Sequence, residues 1–193
     1  EKIVRDDVSN EKFKFRDSRR MFVGGVPAII NRISFTGELG YEIYVAPHYQ
    51  LKLYEELMEA GKEFNIKPFG GRALMSMRLE KNWGAWTLDY RPDFTAKETG
   101  LDAFINWDKE FIGKESAQKE NSSNKLVPLI VETNEIDVTN NEAVLNGDQS
   151  IGYVTSGGFA HFVNKSVAFT FVDQKKIKSE NKIQVEINGD LFN

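Results

Sequence analysis

The segment Arg32-Ile33-Ser34-Phe35-Thr36-Gly37-Glu38-Leu39-Gly40-Tyr41-Glu42-Ile43-Tyr44-Val45 joins two strand-like ends through a glycine-containing centre. Apolar and polar residues alternate over 32–35 and again over 41–45, as they do in half-buried strands. The two central glycines suit a turn that needs positive φ. The pattern therefore predicts a β-hairpin that carries two carboxylates, Glu38 and Glu42, close to aromatic rings. A surface hairpin with solvated glutamates is the ordinary alternative.

The composition is that of a globular protein and excludes several functions. Hydrophobic residues make up 40% of the 193 residues and charged residues 28%. The net charge of −4 argues against nucleic acid as a partner, because neutralising phosphates needs a basic surface. No apolar run approaches the ~20 residues of a membrane span, so no membrane partner is expected. Because cysteine is absent, thiolate metal sites are excluded, and we predict no metal site.

Two helices are predicted after the hairpin. Pro47 suits the first turn of one, and apolar residues then recur at helical spacing up to Phe64. The second helix follows Gly70-Gly71 and carries two arginines. Arg72 lies in its first turn, beside unsatisfied backbone N–H groups, and such a corner suits a carboxylate. A structural ion pair is the alternative for both arginines and the favoured interpretation for Arg78.

The chain is predicted to divide at residues 119–125, which are polar and lack bulky apolar side chains. Residues 1–118 form the first predicted domain. Residues 126–193 contain short apolar segments separated by turn signals, which indicates a small barrel or sandwich. Its strands are predicted at 126–131, 143–145, 151–155, 166–172 and 183–187. The chain begins without methionine and ends in a turn-like sequence, so we expect a fragment with a truncated last domain.

A site for a planar polar ring is the chemistry that these residues favour. A pterin-like heterocycle presents hydrogen-bond donors along one edge, which a carboxylate such as Glu42 can bind through two hydrogen bonds. Aromatic side chains nearby can stack on the ring, and Arg72 can bind a remote negative charge such as a glutamate tail. Other sites are compatible with the same residues.

Several motifs, in order along the chain, resemble those of the glycine-cleavage T-protein family. This family includes aminomethyltransferases and the folate-binding halves of dimethylglycine and sarcosine dehydrogenases. Residues 36–42 resemble the family's TGE-x-G-[FYW]-E signature, and residues 71–81 resemble its A-R-D-x-L-R-x-E helix. The other similar segments are Ala85-Trp86-x-x-Asp89, Thr99-Gly100-Leu101, Phe111-Ile112-Gly113-Lys114, 155–159 and 165–169. The block at 85–101 is most similar to the dimethylglycine and sarcosine dehydrogenase branch.

The resemblance implies an α+β fold, with a ferredoxin-like subdomain of the T-protein fold followed by a small C-terminal β-barrel, around a tetrahydrofolate pocket. It implies that Glu42 binds the pterin and that Arg72 lies at the pocket. Phe35, Tyr41 and Trp86 are the other expected cofactor-binding residues. Phe35 occupies a position where many family members have tyrosine. It lacks the tyrosine hydroxyl and its hydrogen bond, but its ring can still stack on the cofactor.

The implied activity is tetrahydrofolate-dependent transfer of a one-carbon unit from a small-molecule methylamine or aminomethyl donor. The family's catalytic aspartate lies in an N-terminal part that we expect to be missing, so no catalytic residue is assigned and the fragment alone is expected to be inactive. A flavin dehydrogenase domain is a further candidate partner. The expected location is the cytoplasm, or the mitochondrial matrix in a eukaryote.

Two alternatives stay open. One is a demethylase that passes a methyl group from a sulfonium, such as dimethylsulfoniopropionate, to folate. The other is a non-catalytic folate-binding module attached to a flavin dehydrogenase.

Overall fold

The computed structural model describes residues 2–133 and 136–193, which fall into two compact units divided between Leu74 and Met75. The first unit contains β1 (Ser18–Val23), β2 (Val26–Asn31), β3 (Glu42–Tyr44), α1 (Gln50–Gly61) and the start of α2 (Gly71–Glu80). The second contains the rest of α2, α3 (Lys114–Lys119), β4 (Asn124–Val131), β5 (Ala143–Asn146), β6 (Gln149–Ala160), β7 (Lys165–Asp173), β8 (Ile183–Ile187) and β9 (Asp190–Phe192). Short 3₁₀ turns cover Pro47–Tyr49, Lys62–Phe64, Asp102–Phe104 and Gln174–Lys176.

The first unit is an antiparallel sheet, in the order β1-β2-β3, with a helix on one face. Alternation along β1 and β2 buries Met21, Val23, Ala28 and Ile30, which pack with Leu53 of α1 in one apolar cluster. The two helices predicted from periodicity are confirmed as α1 and α2. The opposite face of the sheet leaves large apolar side chains exposed, namely Phe22, Ile29 and Tyr44.

The predicted hairpin at 32–45 is wrong in its first strand. β3 pairs antiparallel with β2, and Asn31 lies opposite Glu42, so the partner strand is 26–31 rather than 32–35. Residues 32–41 form a long connection between the two strands.

Arg32 continues the hydrogen bonding of β2 toward the β1 side. The backbone N–H of Arg32 donates to the carbonyl of Asp17, and its guanidinium donates to the carbonyl of Phe13. Further on, the hydroxyls of Ser34 and Thr36 are 2.8 Å apart and close a local turn.

The second unit is built around an antiparallel sheet in the order β4-β7-β6-β5-β8-β9. The N–H of Glu132, after β4, donates to the carbonyl of Asn193, after β9, at 2.7 Å, and this bond joins the two ends of the sheet. The enclosed core consists of Val131, Val138, Val144, Ile151, Val154, Ala168, Val172, Val185 and Ile187. The predicted α+β class with a small C-terminal barrel is confirmed.

The five predicted barrel strands lie within β4 to β8, whereas β9 was not predicted. β9 pairs with β8, and Val185 lies opposite Phe192. The connecting residues Asn188 and Gly189 both have positive φ, 54° and 91°. Asn-Gly is the strongest short hairpin signal, so the sequence did contain the information for this last strand.

The predicted linker at 119–125 is held by hydrogen bonds within the second unit. The hydroxyl of Ser122 donates to Glu98, and the Lys125 ammonium donates to the Lys97 carbonyl at 2.6 Å. β4 already begins at Asn124. The division of the chain into 1–118, 119–125 and 126–193 stays a prediction.

Gly152→Ala is expected to destabilise the barrel by about 2–4 kcal/mol. A Cβ at Gly152 would lie 2.0 Å from the Phe171 carbonyl oxygen, and backbone cannot move aside cheaply. Gly158→Ala is the matched control in the same strand. The atom nearest to a Cβ at Gly158 would be Leu79 Cδ1 at 3.6 Å, which is an ordinary van der Waals distance. Urea unfolding followed by tryptophan fluorescence measures both, since Trp83, Trp86 and Trp107 all belong to this unit. Equal losses in the two variants would contradict this explanation.

Candidate functional site

Glu42 is the first residue of β3, and its side chain is hydrogen-bonded on an accessible face of the sheet. Its Oε2 accepts from the Tyr44 hydroxyl at 2.5 Å. Residues two apart in a strand share a face, so both side chains lie on the side opposite the apolar core. The hydrogen bond from its hydroxyl to Glu42 raises the pKa of Tyr44. A carboxylate offers about four lone-pair sites, so the tyrosine leaves capacity for further donors.

A cavity of about 610 Å³ lies on the same face, beside Tyr44. Its apolar lining comes from neighbouring strands and includes Phe22, Pro27 and Ile29, while Arg20 and Asp6 supply charge. This volume is within the usual range of small-molecule pockets, which combine apolar walls with a few polar groups. Of the Glu42–Tyr44 pair, Tyr44 lines the cavity and Glu42 does not. The outer face of the sheet can therefore accommodate a flat ring next to Tyr44, to which Glu42 is hydrogen-bonded.

Two further predicted site residues lie close to Glu42 along the chain. Tyr41 immediately precedes it, and its ring stacks on the buried Phe13 ring, with centroids 6.0 Å apart and planes inclined by 13°. Phe35 is half-buried in the connection at 32–41, in which Glu38 is exposed. Tyr41 thus has one ring neighbour in the core and remains partly accessible.

The other two predicted site residues are Arg72, in the first unit, and Trp86, in the second. Arg72 is exposed in the first turn of α2, and no hydrogen bond or ion pair links it to Phe35, Tyr41 or Glu42 within the described part of the first unit. Trp86 belongs to the second unit, where 73% of it is exposed. Its ring meets Tyr90 edge-on, with centroids 5.5 Å apart.

The second unit contains a buried polar network centred on Asp89. Arg78 is 1% exposed and Asp89 0%, and Arg78 Nη1 lies 2.6 Å from Asp89 Oδ2. The same oxygen accepts from the Ala85 N–H at 2.8 Å. The other oxygen accepts from the hydroxyls of Thr155 and Ser156 on β6. The structural ion pair predicted for Arg78 is confirmed, while its partner and the two hydroxyls were not predicted.

This network fixes the loop at 83–90. Arg78 Nη1 also donates to the Trp83 carbonyl at 3.1 Å, and the Gly84 N–H donates to the Tyr90 hydroxyl at 3.1 Å. Burial raises the pKa of the Tyr90 hydroxyl. Each polar atom of Asp89 is thus used in holding the loop to the barrel, which is the pattern of a structural rather than a reacting carboxylate.

Within residues 2–133 and 136–193, no three or more His, Asp or Glu residues are grouped so that they could hold a metal ion. Over the same ranges, no helix has the length and apolar character needed to cross a membrane.

Comparison with known proteins gives two family matches that together cover most of the chain. The GCVT N-terminal domain matches residues 1–109, and the glycine cleavage T-protein C-terminal barrel domain matches residues 124–193. The second match coincides with the strands β4 to β9. A solved structure, the glycine cleavage system aminomethyltransferase T from Bartonella henselae, superposes with a TM-score of 0.75 at 24% identity, covering 86% of this chain and 47% of that one.

Characterised relatives are similar over almost the whole chain. Human mitochondrial dimethylglycine dehydrogenase is 33% identical over 98% of the chain. The aminomethyltransferase of Caldanaerobacter subterraneus subsp. tengcongensis is also 33% identical over 98% of it. The chain spans only 22% of the length of the first protein and 51% of the second.

Removing one member of the buried ion pair is expected to cost about 3–5 kcal/mol of unfolding free energy, because the other charge is left buried without compensation. Arg78→Met and Asp89→Asn test this by urea unfolding monitored through tryptophan fluorescence. Arg91→Met is the matched control, since Arg91 pairs with Asp93 on the surface, where ion pairs contribute little. A loss in the control as large as that in Arg78→Met would contradict the structural role.

Glu42→Gln is expected to lower the pKa of Tyr44 toward its ordinary value of about 10. The carboxylate favours the protonated phenol, so the contact stabilises the fold below that value and is lost as pH rises through the raised pKa. Titration of the assigned Tyr44 ring carbon by NMR measures the shift. Glu56→Gln, which removes a carboxylate paired with Lys52, is expected to leave the Tyr44 titration unchanged. An unaltered Tyr44 titration in Glu42→Gln would refute the contact.

Proposed function

The chain belongs to the glycine-cleavage T-protein family, and we propose that it is the folate-binding part of a tetrahydrofolate-dependent one-carbon transferase. The observation that carries the proposal is the Glu42 carboxylate on an accessible sheet face, held by Tyr44, which itself lines an apolar cavity. The sequence around it, Thr36-Gly37-Glu38-Leu39-Gly40-Tyr41-Glu42, supports the same role because it resembles the family signature.

The chemistry of Glu42 fits a pterin. The ring presents neighbouring N–H donors along one edge, and a carboxylate accepts two such bonds in one plane. Tyr44 already donates to one carboxylate oxygen and so holds the group in one orientation. An oriented acceptor loses less entropy on binding than a freely rotating glutamate does. Glu42 is therefore the proposed pterin ligand.

The remaining residues are proposed to complete the site around the ring. Tyr41 and Phe35 would supply aromatic surface, Trp86 would add a further ring, and Arg72 would bind the negative charge of a folate tail. Arg72 is exposed at the start of α2, which is compatible with an anionic ligand. Tetrahydrofolate would accept the one-carbon unit, and the residues named here would bind and orient it.

The donor is proposed to be an N-methylated or aminomethyl small molecule. This proposal draws on the relatives, which are named as dimethylglycine dehydrogenases and aminomethyltransferases. Because the chain spans 22% and 51% of these relatives, we propose that residues outside it supply the catalytic group and that a flavin domain is a partner in a dehydrogenase context. The cellular location that we propose for the protein is the cytoplasm, or the mitochondrial matrix in a eukaryote.

Calorimetric titration of the intact protein with a stable reduced folate, such as 5-formyltetrahydrofolate, tests the proposal. Glu42→Gln is expected to weaken binding by about 10- to 100-fold, because one acceptor becomes a donor and the charge assistance is lost. Glu38→Gln removes the same charge from the same motif and is expected to bind like wild type. Unchanged affinity in Glu42→Gln, or an equal loss in both variants, would refute the pterin assignment.

A further inference from the structure

The second unit contains another cavity, of about 230 Å³, beside the outer surface of β7. Four aromatic rings line it, those of Trp83, Tyr90, Phe104 and Phe169. Its other lining residues are Asn82, Thr99, Gly100, Leu101, Leu126 and Pro128. The cavity shares no residue with the group around Glu42.

Three of the four rings are held in place by the surrounding structure, whereas Phe104 is exposed. The Tyr90 ring packs directly on Gly84, where a Cβ would lie 2.5 Å from Tyr90 Cζ. Trp83 meets the Tyr90 ring edge-on, with centroids 5.9 Å apart. Phe169 is buried in the cluster on the outer side of β7 with Leu79, Ala160 and Val167. The site is therefore preformed, as small-molecule sites usually are.

The lining of the cavity carries no charge that would attract an ion, among the residues described. The Arg78 guanidinium already lies over the Phe169 ring, 5.4 Å from its centroid, so that ring is engaged by one cation. The positive charge of Arg78 is in turn paired with Asp89 and is not free for an anion. No lining residue among those described offers an opposite charge to an ion in this cavity.

A neutral ring suits the same walls. Trp83 and Tyr90 present the edge and face arrangement in which aromatic rings attract one another. Benzene occupies an engineered apolar protein cavity of about 150 Å³, so this volume accommodates one ring with a small substituent. Asn82 provides an amide for that substituent, and Thr99 Oγ1 provides an acceptor, because its proton is already donated to the Thr95 carbonyl. We propose that the cavity is a binding site for neutral, single-ring aromatic compounds, independent of the folate proposal.

Binding of 4-fluorobenzamide to the 193-residue chain, followed by ¹⁹F NMR, tests this inference. A ligand of about ten heavy atoms in a preformed pocket is expected to bind with a Kd on the order of 1 mM. Trp83→Ala is expected to weaken binding about tenfold, because it removes one wall. Trp86→Ala is the matched control, since its ring also meets Tyr90 edge-on but does not line the cavity.

Leu101→Trp supplies a second variant, which fills the cavity instead of opening it. It is expected to abolish binding while circular dichroism shows an intact fold. Three results would overturn the proposal: no binding to the wild-type chain at about 10 mM ligand, loss of binding in Trp86→Ala but not in Trp83→Ala, and tighter binding of the cationic 4-fluorobenzylamine than of the neutral amide.

Discussion

Burial of the Asp89 carboxylate is the constraint on which the second unit depends. A carboxylate with no exposed surface must be paired and fully hydrogen-bonded, and Asp89 meets this requirement with Arg78, the Ala85 N–H and the hydroxyls of Thr155 and Ser156. These partners come from α2, the following loop and β6. One buried charge thus ties α2 and the loop that follows it to β6, where Thr155 lies 66 residues beyond Asp89 along the chain.

The loop that Asp89 fixes carries the aromatic side chains of the second unit's cavity. Trp83 and Tyr90 are placed by hydrogen bonds from Arg78 and Gly84. The positions of Trp83 and Tyr90 therefore depend on these hydrogen bonds and not on local propensity alone. The first unit obtains its site differently: strand alternation separates an apolar core face from an outer face that presents Glu42 and Tyr44.

Much of this architecture could be predicted from the sequence, because it is encoded locally. Helical periodicity located α1 and α2, and turn signals separated the strands β4 to β8. The hairpin containing β9 had its own signal in Asn188-Gly189 and was overlooked. The strand predicted at 32–35 failed for a different reason. Its apolar and polar residues do alternate, but the chain turns at residues 35–36, where the hydroxyls of Ser34 and Thr36 bond to each other, so it does not extend as a partner of β3.

The polar contacts were the least predictable part of the site. The partners of Asp89 on β6 follow it by 66 and 67 residues, and no spacing rule relates them. Nor does the sequence indicate that Tyr44 holds Glu42. The family signature indicated Glu42 as the pterin-binding candidate. The orientation of the Glu42 side chain, however, depends on the register of β3 against β2. Such tertiary details follow from the fold and not from a motif.

The central claim is that Glu42 binds the pterin of a reduced folate. A crystal structure of the intact protein with 5-formyltetrahydrofolate tests it most directly. The account predicts both Glu42 carboxylate oxygens within about 2.7–2.9 Å of nitrogen donors on the pterin edge, with Tyr44 still donating to Oε2. A pterin bound elsewhere, with Glu42 facing solvent, would contradict it.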